Sequence, residues 1–318
     1  EVPMSAADTS LPLRSLLFAP GNEPRKVQKV ATFGSDAIIL DLEDAVPDAD
    51  KVATRPLVRA VLADLATVGP LVFVRVNSLA TGLTAGDVEG VVAPGIDAIV
   101  LPKTEAPEDL DAVDAMLAAA ERRAGLPPGR VKVLPLVETA RGLLAASAIA
   151  GASPRVITIA FGSGDYTRDL ELPAIRWSLE GTEIFYARAK LIVDARAAGR
   201  PGPIDGPYIA VRDARGFEAD CRTARRLGFQ GKICIHPSQV TPANRMFAPD
   251  PEEVAFCRKV IESFKAAEAT GSASITVDGI FVDYPIVDKA ARIVALAERL
   301  AAKDAAAGGA AAAERSGR

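Results

Sequence analysis

Eight short runs of β-branched and apolar residues recur along the chain, each closing on a polar or turn residue: RSLLFAP (14–20), AIILDLE (37–43), LVFVRVN (71–77), AIVLPK (98–103), VKVLPLVE (131–138), VITIAFG (156–162), PIDGPY (203–208) and KICIHP (232–237). Stretches of helical period lie between most of them, among them EPRKVQKVATFG, ADKVATRPLVRAVLADLA and APEDLDAVDAMLAAAERRAG. The last has acidic residues in its first turn and Arg-Arg before a Gly stop, as the helix dipole and capping preferences favour. Alternating strand and helix predicts repeated βα units. Eight such units close a (β/α)8 TIM barrel. A doubly wound open sheet would also alternate, but it usually carries a Gly-rich phosphate turn after an early strand, and the chain has none.

The passage 170–200 is unusually long for a βα connection and contains a predicted helix, EGTEIFYARAKLIVDARAAG. After about residue 245 the pattern changes: PDPEEVAFCRKVIESFKAAEATG predicts a capped helix, and SITVDGIFVDYPIVDKAARIVALAERLAAKD predicts an extended, Gly-broken loop followed by another helix. The expected organisation is a barrel over 11–245, a C-terminal helical extension with a lid loop over 246–302, and a disordered, low-complexity tail over 303–318.

Composition narrows the class. The 318 residues are 49% hydrophobic and 25% charged, as a globular α/β protein requires. No run approaches the roughly 18 apolar residues that span a bilayer, and EVPMSAADTSLP lacks a basic stretch followed by an apolar one. No membrane association and a cytoplasmic location are therefore expected. A net charge of −4 argues against a nucleic-acid partner, which normally demands a basic face. Cys221, Cys234 and Cys257 are odd in number and lack CxxC spacing, so they read as buried thiols.

Barrel enzymes build their sites at the C-terminal ends of strands. Here those ends carry Pro20-Gly21, Glu43-Asp44, Arg75-Asn77, Lys103, Glu138, Gly162 to Asp165, Asp205 and His236. Glu138 and Asp165 follow adjacent strands and suit a shared hard divalent ion such as Mg2+, which takes one or two carboxylates plus waters and substrate oxygens. With His236 the only histidine, zinc is disfavoured. Arg75 would point into the mouth, where a buried guanidinium needs anionic company: a substrate, or Glu43 or Asp44. Arg14, and Lys51 or Arg55, are candidate anchors for a substrate carboxylate or phosphates. His236 is expected to hydrogen-bond locally, and no Ser-His-Asp arrangement supports acyl-enzyme chemistry.

These motifs together resemble the citrate lyase beta-subunit-like family of malyl-CoA, citramalyl-CoA and related lyases, phosphoenolpyruvate/pyruvate-type TIM barrels. The matching stretches are RSLLFAPGN (14–22), IILDLEDAV (38–46) with KVATR (51–55), VRVN (74–77), VLPKTE (100–105), LVETARG (136–142), FGSGDYTRDL (161–170), GFQGKICIHPSQV (228–240) and VDGIFVDYPIVDKA (277–290). The resemblance implies Mg2+, or Mn2+ in its place, on Glu138 and Asp165, with Arg75 on the oxyanion or carboxylate of the keto-acid fragment. It implies a substrate pocket drawing on Arg14, Pro20, Gly21, Glu43, Asp44 and Lys103. It also implies a homo-oligomer, trimer or hexamer, in which Asp283 acts as acid/base on a neighbouring subunit's barrel.

The implied reaction is a reversible retro-Claisen cleavage of a short 3-hydroxyacyl-CoA such as malyl-, citramalyl- or citryl-CoA to an acyl-CoA and a 2-oxo acid. Gly164 stands where many relatives carry an acidic residue, and Glu171 where a small one is usual. The particular substrate therefore stays open. So do a pyruvate-type aldolase on a free hydroxy-keto acid, a malyl-CoA thioesterase, and a subunit of a larger citrate lyase assembly that docks an acyl carrier protein.

Overall fold

The structure, a computed structural model, describes residues 13–178 and 180–316, with side chains described to Ala305. Two compact units divide after Phe247. The first alternates strand and helix in chain order: β1 (Ser15–Pro20), α1 (Pro24–Val30), β2 (Ala37–Asp41), α2 (Lys51–Ala66), β3 (Leu71–Arg75), α3 (Thr84–Val91), β4 (Ala98–Leu101), α4 (Pro107–Ala124), β5 (Lys132–Val137) and α5 (Ala140–Gly151). It continues with β6 (Ala160–Phe161), α6 (Ser163–Asp169), α7 (Thr182–Ala197), β7 (Ile204–Asp205), α8 (Ala214–Leu227), β8 (Gly231–Cys234) and α9 (Val240–Phe247). The strands pair in parallel in sequence order, and β8 returns to β1 to close an eight-stranded barrel. The fold is the expected (β/α)8 TIM barrel.

All eight predicted runs contribute a strand, though β6 and β7 shrink to two residues each. Pro203 and Pro207 flank β7 and have no N–H for a ladder, which limits its pairing. Strand side chains alternate between two faces, and the core divides accordingly. Leu16, Ala37, Ile39, Phe73, Val100, Leu134, Leu136 and Ile233 fill the barrel interior. Their neighbours Leu17, Ile38, Leu40, Val72, Val74 and Ile99 pack outward beneath the helices.

The second unit comprises α10 (Pro251–Glu268), β9 (Ile275–Val277), β10 (Ile280–Val282) and α11 (Tyr284–Ser316). Asp250 caps α10 by accepting from the Glu252 N–H at 2.8 Å. The loop predicted between the helices is an antiparallel hairpin in which Val277 pairs with Ile280. Asp278 and Gly279 turn it with φ of 49° and 79°, the left-handed pair a two-residue hairpin turn demands. Cys257, Val260, Phe264, Val277, Val282 and Ala290 form this unit's own core. The α11 helix continues to Ser316 through most of the segment expected to be a disordered tail. No helix among the described residues is long and apolar enough to cross a membrane.

Candidate active site

Strand parity determines what crowns the barrel. Ala37 and Ile39 face inward on β2, so Asp41 follows them at the C-terminal end; Phe73 places Arg75 likewise on β3, and Leu134 and Leu136 place Glu138 just beyond β5. The register sets Pro20, Asp41 and Arg75 side by side on β1, β2 and β3. Asp41 grips the Arg75 guanidinium with both oxygens, at 2.7 Å from Nε and 2.6 Å from Nη2. Glu43 Oε2 lies 2.9 Å from Arg75 Nη1, close enough to feel its charge but without an aligned hydrogen bond. The Phe18 ring lies 4.9 Å from the guanidinium carbon, a cation–π contact. Burial alone would lower the Arg75 pKa, but Asp41 and then Glu43 outweigh it and raise it above its ordinary value.

Lys103 follows β4 in the left-handed conformation, φ 49°. This turn aims its backbone N–H at Glu138 Oε1, 2.7 Å away, while its ammonium reaches Glu43 Oε1 at 2.5 Å. Glu138 is 1% exposed, and its Oε2 side fills the space over Gly162: a Cβ there would meet that oxygen at 2.1 Å. Asp165 lies in the first turn of α6 and pairs with Arg168 at 2.6 Å. Burial first, then the like charges of Asp165 and Glu43, push the Glu138 carboxyl up to about 8. Burial also raises Glu43, against the pull of Arg75 and Lys103.

A buried Glu138 whose proton affinity is raised in part by the Asp165 charge forms with it a site a divalent cation would relieve. Among the described residues no three His, Cys, Asp or Glu side chains converge to ligate a metal by themselves. Glu138 and Asp165 thus fit an ion that draws its other ligands from water and substrate, the habit of Mg2+.

Both carboxylates line a cavity of about 780 Å³, with Phe18, Pro20, Asp44 and Arg75. Arg25, Lys26 and Lys29 line it too, from the exposed face of α1. Ile235, His236 and Pro237, beyond β8, complete the wall. The cavity therefore pairs a carboxylate and guanidinium floor with a cationic flank.

Several expected residues lie elsewhere. Arg14 precedes β1 at the opposite end of the barrel, where Asp36 holds it with hydrogen bonds of 2.8 Å to Nε and 2.9 Å to Nη2; it cannot reach the mouth as the substrate anchor expected of it. Asp205 follows inward-facing Ile204, so parity turns it outward, where it pairs with Arg188 of α7 at 2.8 Å and with Lys232 of β8. Asp220 of α8 completes that buried quartet, 2.8 Å from Arg188 and 2.6 Å from Lys232. Lys51 pairs with Asp48 at 2.9 Å and Arg55 with Asp87 at 2.7 Å, so neither is a free anchor. Gly21 serves packing, since a Cβ there would lie 2.6 Å from the Asp41 carbonyl oxygen.

Asp283 belongs to the second unit, between β10 and α11, where its carbonyl accepts from Ile286 and Val287 N–H groups at the helix start. Sequence reasoning missed Asp41, although it stands two residues before Glu43 in LDLED, and took RKVQK only as a helix. Period-2 alignment of ILD against FVR would have found the first. The basic 25–29 cluster directly after a barrel strand would have flagged the second.

The family model described as HpcH/HpaI aldolase/citrate lyase matches residues 14–237. Citrate lyase subunit beta of Leuconostoc mesenteroides subsp. cremoris is 35% identical over 284 residues, 89% of this chain and 93% of that protein. The (3S)-malyl-CoA thioesterase of Cereibacter sphaeroides is 34% identical over 294 residues, 92% of this chain and 96% of that protein. Among solved structures, protein CitE from Mycobacterium tuberculosis in complex with magnesium, acetoacetate and coenzyme A shares 29% identity with a TM-score of 0.71, covering 91% of this chain and 98% of that one.

Proposed function

We propose that this chain, which belongs to the HpcH/HpaI aldolase/citrate lyase family, is a Mg2+-dependent carbon–carbon lyase that splits a short 3-hydroxyacyl-CoA into an acyl-CoA and a 2-oxo acid. The observation that carries the reading is one cavity holding the Glu138–Asp165 pair, Arg75 and the α1 cations together. Magnesium and coenzyme A in the related CitE complex support it. Mn2+ would serve in place of Mg2+.

When bound, the ion would polarise the carboxylate and hydroxyl oxygens of the fragment that leaves as the 2-oxo acid. Arg75, immobilised by Asp41, offers a fixed positive charge to the same oxygens as the hydroxyl becomes a carbonyl. Lys103 and Glu43 hold each other and steady Glu138 through the Lys103 backbone N–H. Arg25, Lys26 and Lys29 suit the coenzyme's phosphates, and Phe18 and Ile235 its apolar arm. Asp283, from a neighbouring protomer of a trimer or hexamer, is assigned protonation of the acyl-CoA enolate at carbon.

Incubating the protein with malyl-, methylmalyl-, citramalyl- and citryl-CoA, with Mg2+ or with EDTA, tests this directly. Glyoxylate, pyruvate or oxaloacetate should appear only with the metal, and cleavage of none of the four would overturn the reading. The similarity to (3S)-malyl-CoA thioesterase favours hydrolysis as the second reading. Free CoA and intact malate, without a 2-oxo acid, would decide for it.

A further inference from the structure

His236 has two nitrogens, and only one is spent on the fold. Its Nδ1 caps the short turn after β8, 3.2 Å from the Ser238 N–H and 2.8 Å from the Ser238 hydroxyl. An Nδ1 that accepts from a backbone N–H carries no proton of its own, so the neutral ring bears its proton on Nε2. Nε2 has no partner among the described residues, and the residue is on the cavity wall.

The mounting is rigid. Gln239, 2% exposed, accepts from Ile235 N–H at 2.9 Å and from His236 N–H at 3.3 Å, and its amide donates to the Tyr208 carbonyl at 2.9 Å. Pro237 fixes the first position of the turn. A ring held at Nδ1 on a backbone held by Gln239 presents a preorganised donor.

We propose that His236 donates an Nε2–H hydrogen bond to the thioester carbonyl oxygen of the substrate and stabilises the enolate that forms there. The inference rests on the CoA-lyase reading. When the carbon–carbon bond breaks, its electron pair moves onto the thioester, and the carbonyl oxygen takes up the charge. Arg75 on β3 and the carboxylate pair beyond β5 and on α6 lie with the other fragment. A coenzyme whose phosphates lie on α1 enters past the adjoining ends of β1 and β8, so its thioester passes His236. The imidazole transfers no proton in this role.

Three proteins test it: wild type, His236→Asn and His236→Ala. Asparagine is itself a preferred helix cap and supplies an acceptor for the Ser238 N–H, but it removes the distant donor. His236→Asn should melt as wild type does yet lose ~10²-fold or more in kcat, with little change in KM. Exchange of the acyl-CoA α-protons with deuterated solvent, which needs the same enolate, should slow in parallel. An Asn variant with wild-type kcat and exchange, or losses confined to KM or matched by a lower melting temperature, would overturn the role. A wild type that exchanges protons but cleaves none of the four thioesters loses the lyase reading alone; one that does neither overturns both.

Discussion

Arg75 is nearly immobile because Asp41 occupies two of its nitrogens with a bidentate grip from the next strand. Asp41 is fully buried, so removing it strands a guanidinium in a poorly hydrated place. Asp41→Ala should destabilise the protein by about 3–5 kcal/mol, read from the urea midpoint, and lower kcat ~10²-fold. Gly162→Ala should behave differently. Its Cβ would collide with the Glu138 carboxylate, so Mg2+ affinity, measured by titration calorimetry, should fall by more than stability does. A pH effect follows from the same carboxylate. Burial and Asp165 raise Glu138 to about 8 from an ordinary 4.5. Its contribution to stability is thus complete below the ordinary value and is lost as pH rises through the raised one. In EDTA, melting temperature should decline between about pH 5 and 8, and Glu138→Gln should flatten that decline.

The hairpin of the second unit turns on two residues of positive φ, and only one of them is a glycine. Gly279→Ala meets no neighbour within 4 Å but must hold φ 79°, so it should cost about 1 kcal/mol, seen as faster hydrogen exchange across β9 and β10. The Asp-Gly step marks such a turn, yet the flanking strands are three residues each, too short for alternation to stand out from a loop. The barrel was far more legible: eight apolar runs with helical spacers announce it regardless of where each strand ends. The site was legible where chemistry lies at a strand terminus on the inward parity, as at Arg75 and Glu138. It was misread where parity flips, as at Asp205, and where the position is the wrong end of the strand, as at Arg14. Partners such as Asp41 become visible only when two strands are set in register.

At the scale of the whole molecule, the two units carry the proposed chemistry between them, the barrel its metal pair and the extension Asp283. Glu138→Ala and Asp283→Asn variants, each inactive alone, should recover part of the activity when mixed under conditions of subunit exchange. Absence of recovery despite exchange, verified by native mass spectrometry, would mean that Asp283 acts within its own chain or not at all. The barrel's closure carries a second expectation. Lys232→Met leaves two buried carboxylates sharing Arg188 alone, and the urea midpoint should reveal a loss of about 3–5 kcal/mol. That quartet ties β8, the strand that returns to the first, to β7 before it. Apolar strands tolerate misalignment, since one branched side chain resembles another. A slip of β8 by one residue would instead swing the Lys232 ammonium among Leu16, Ile39 and Phe73 and abandon Asp205 and Asp220 outside. The charged cluster therefore works as a proofreader, admitting only the phase of β8 against β7 from which the last strand can go on to meet the first.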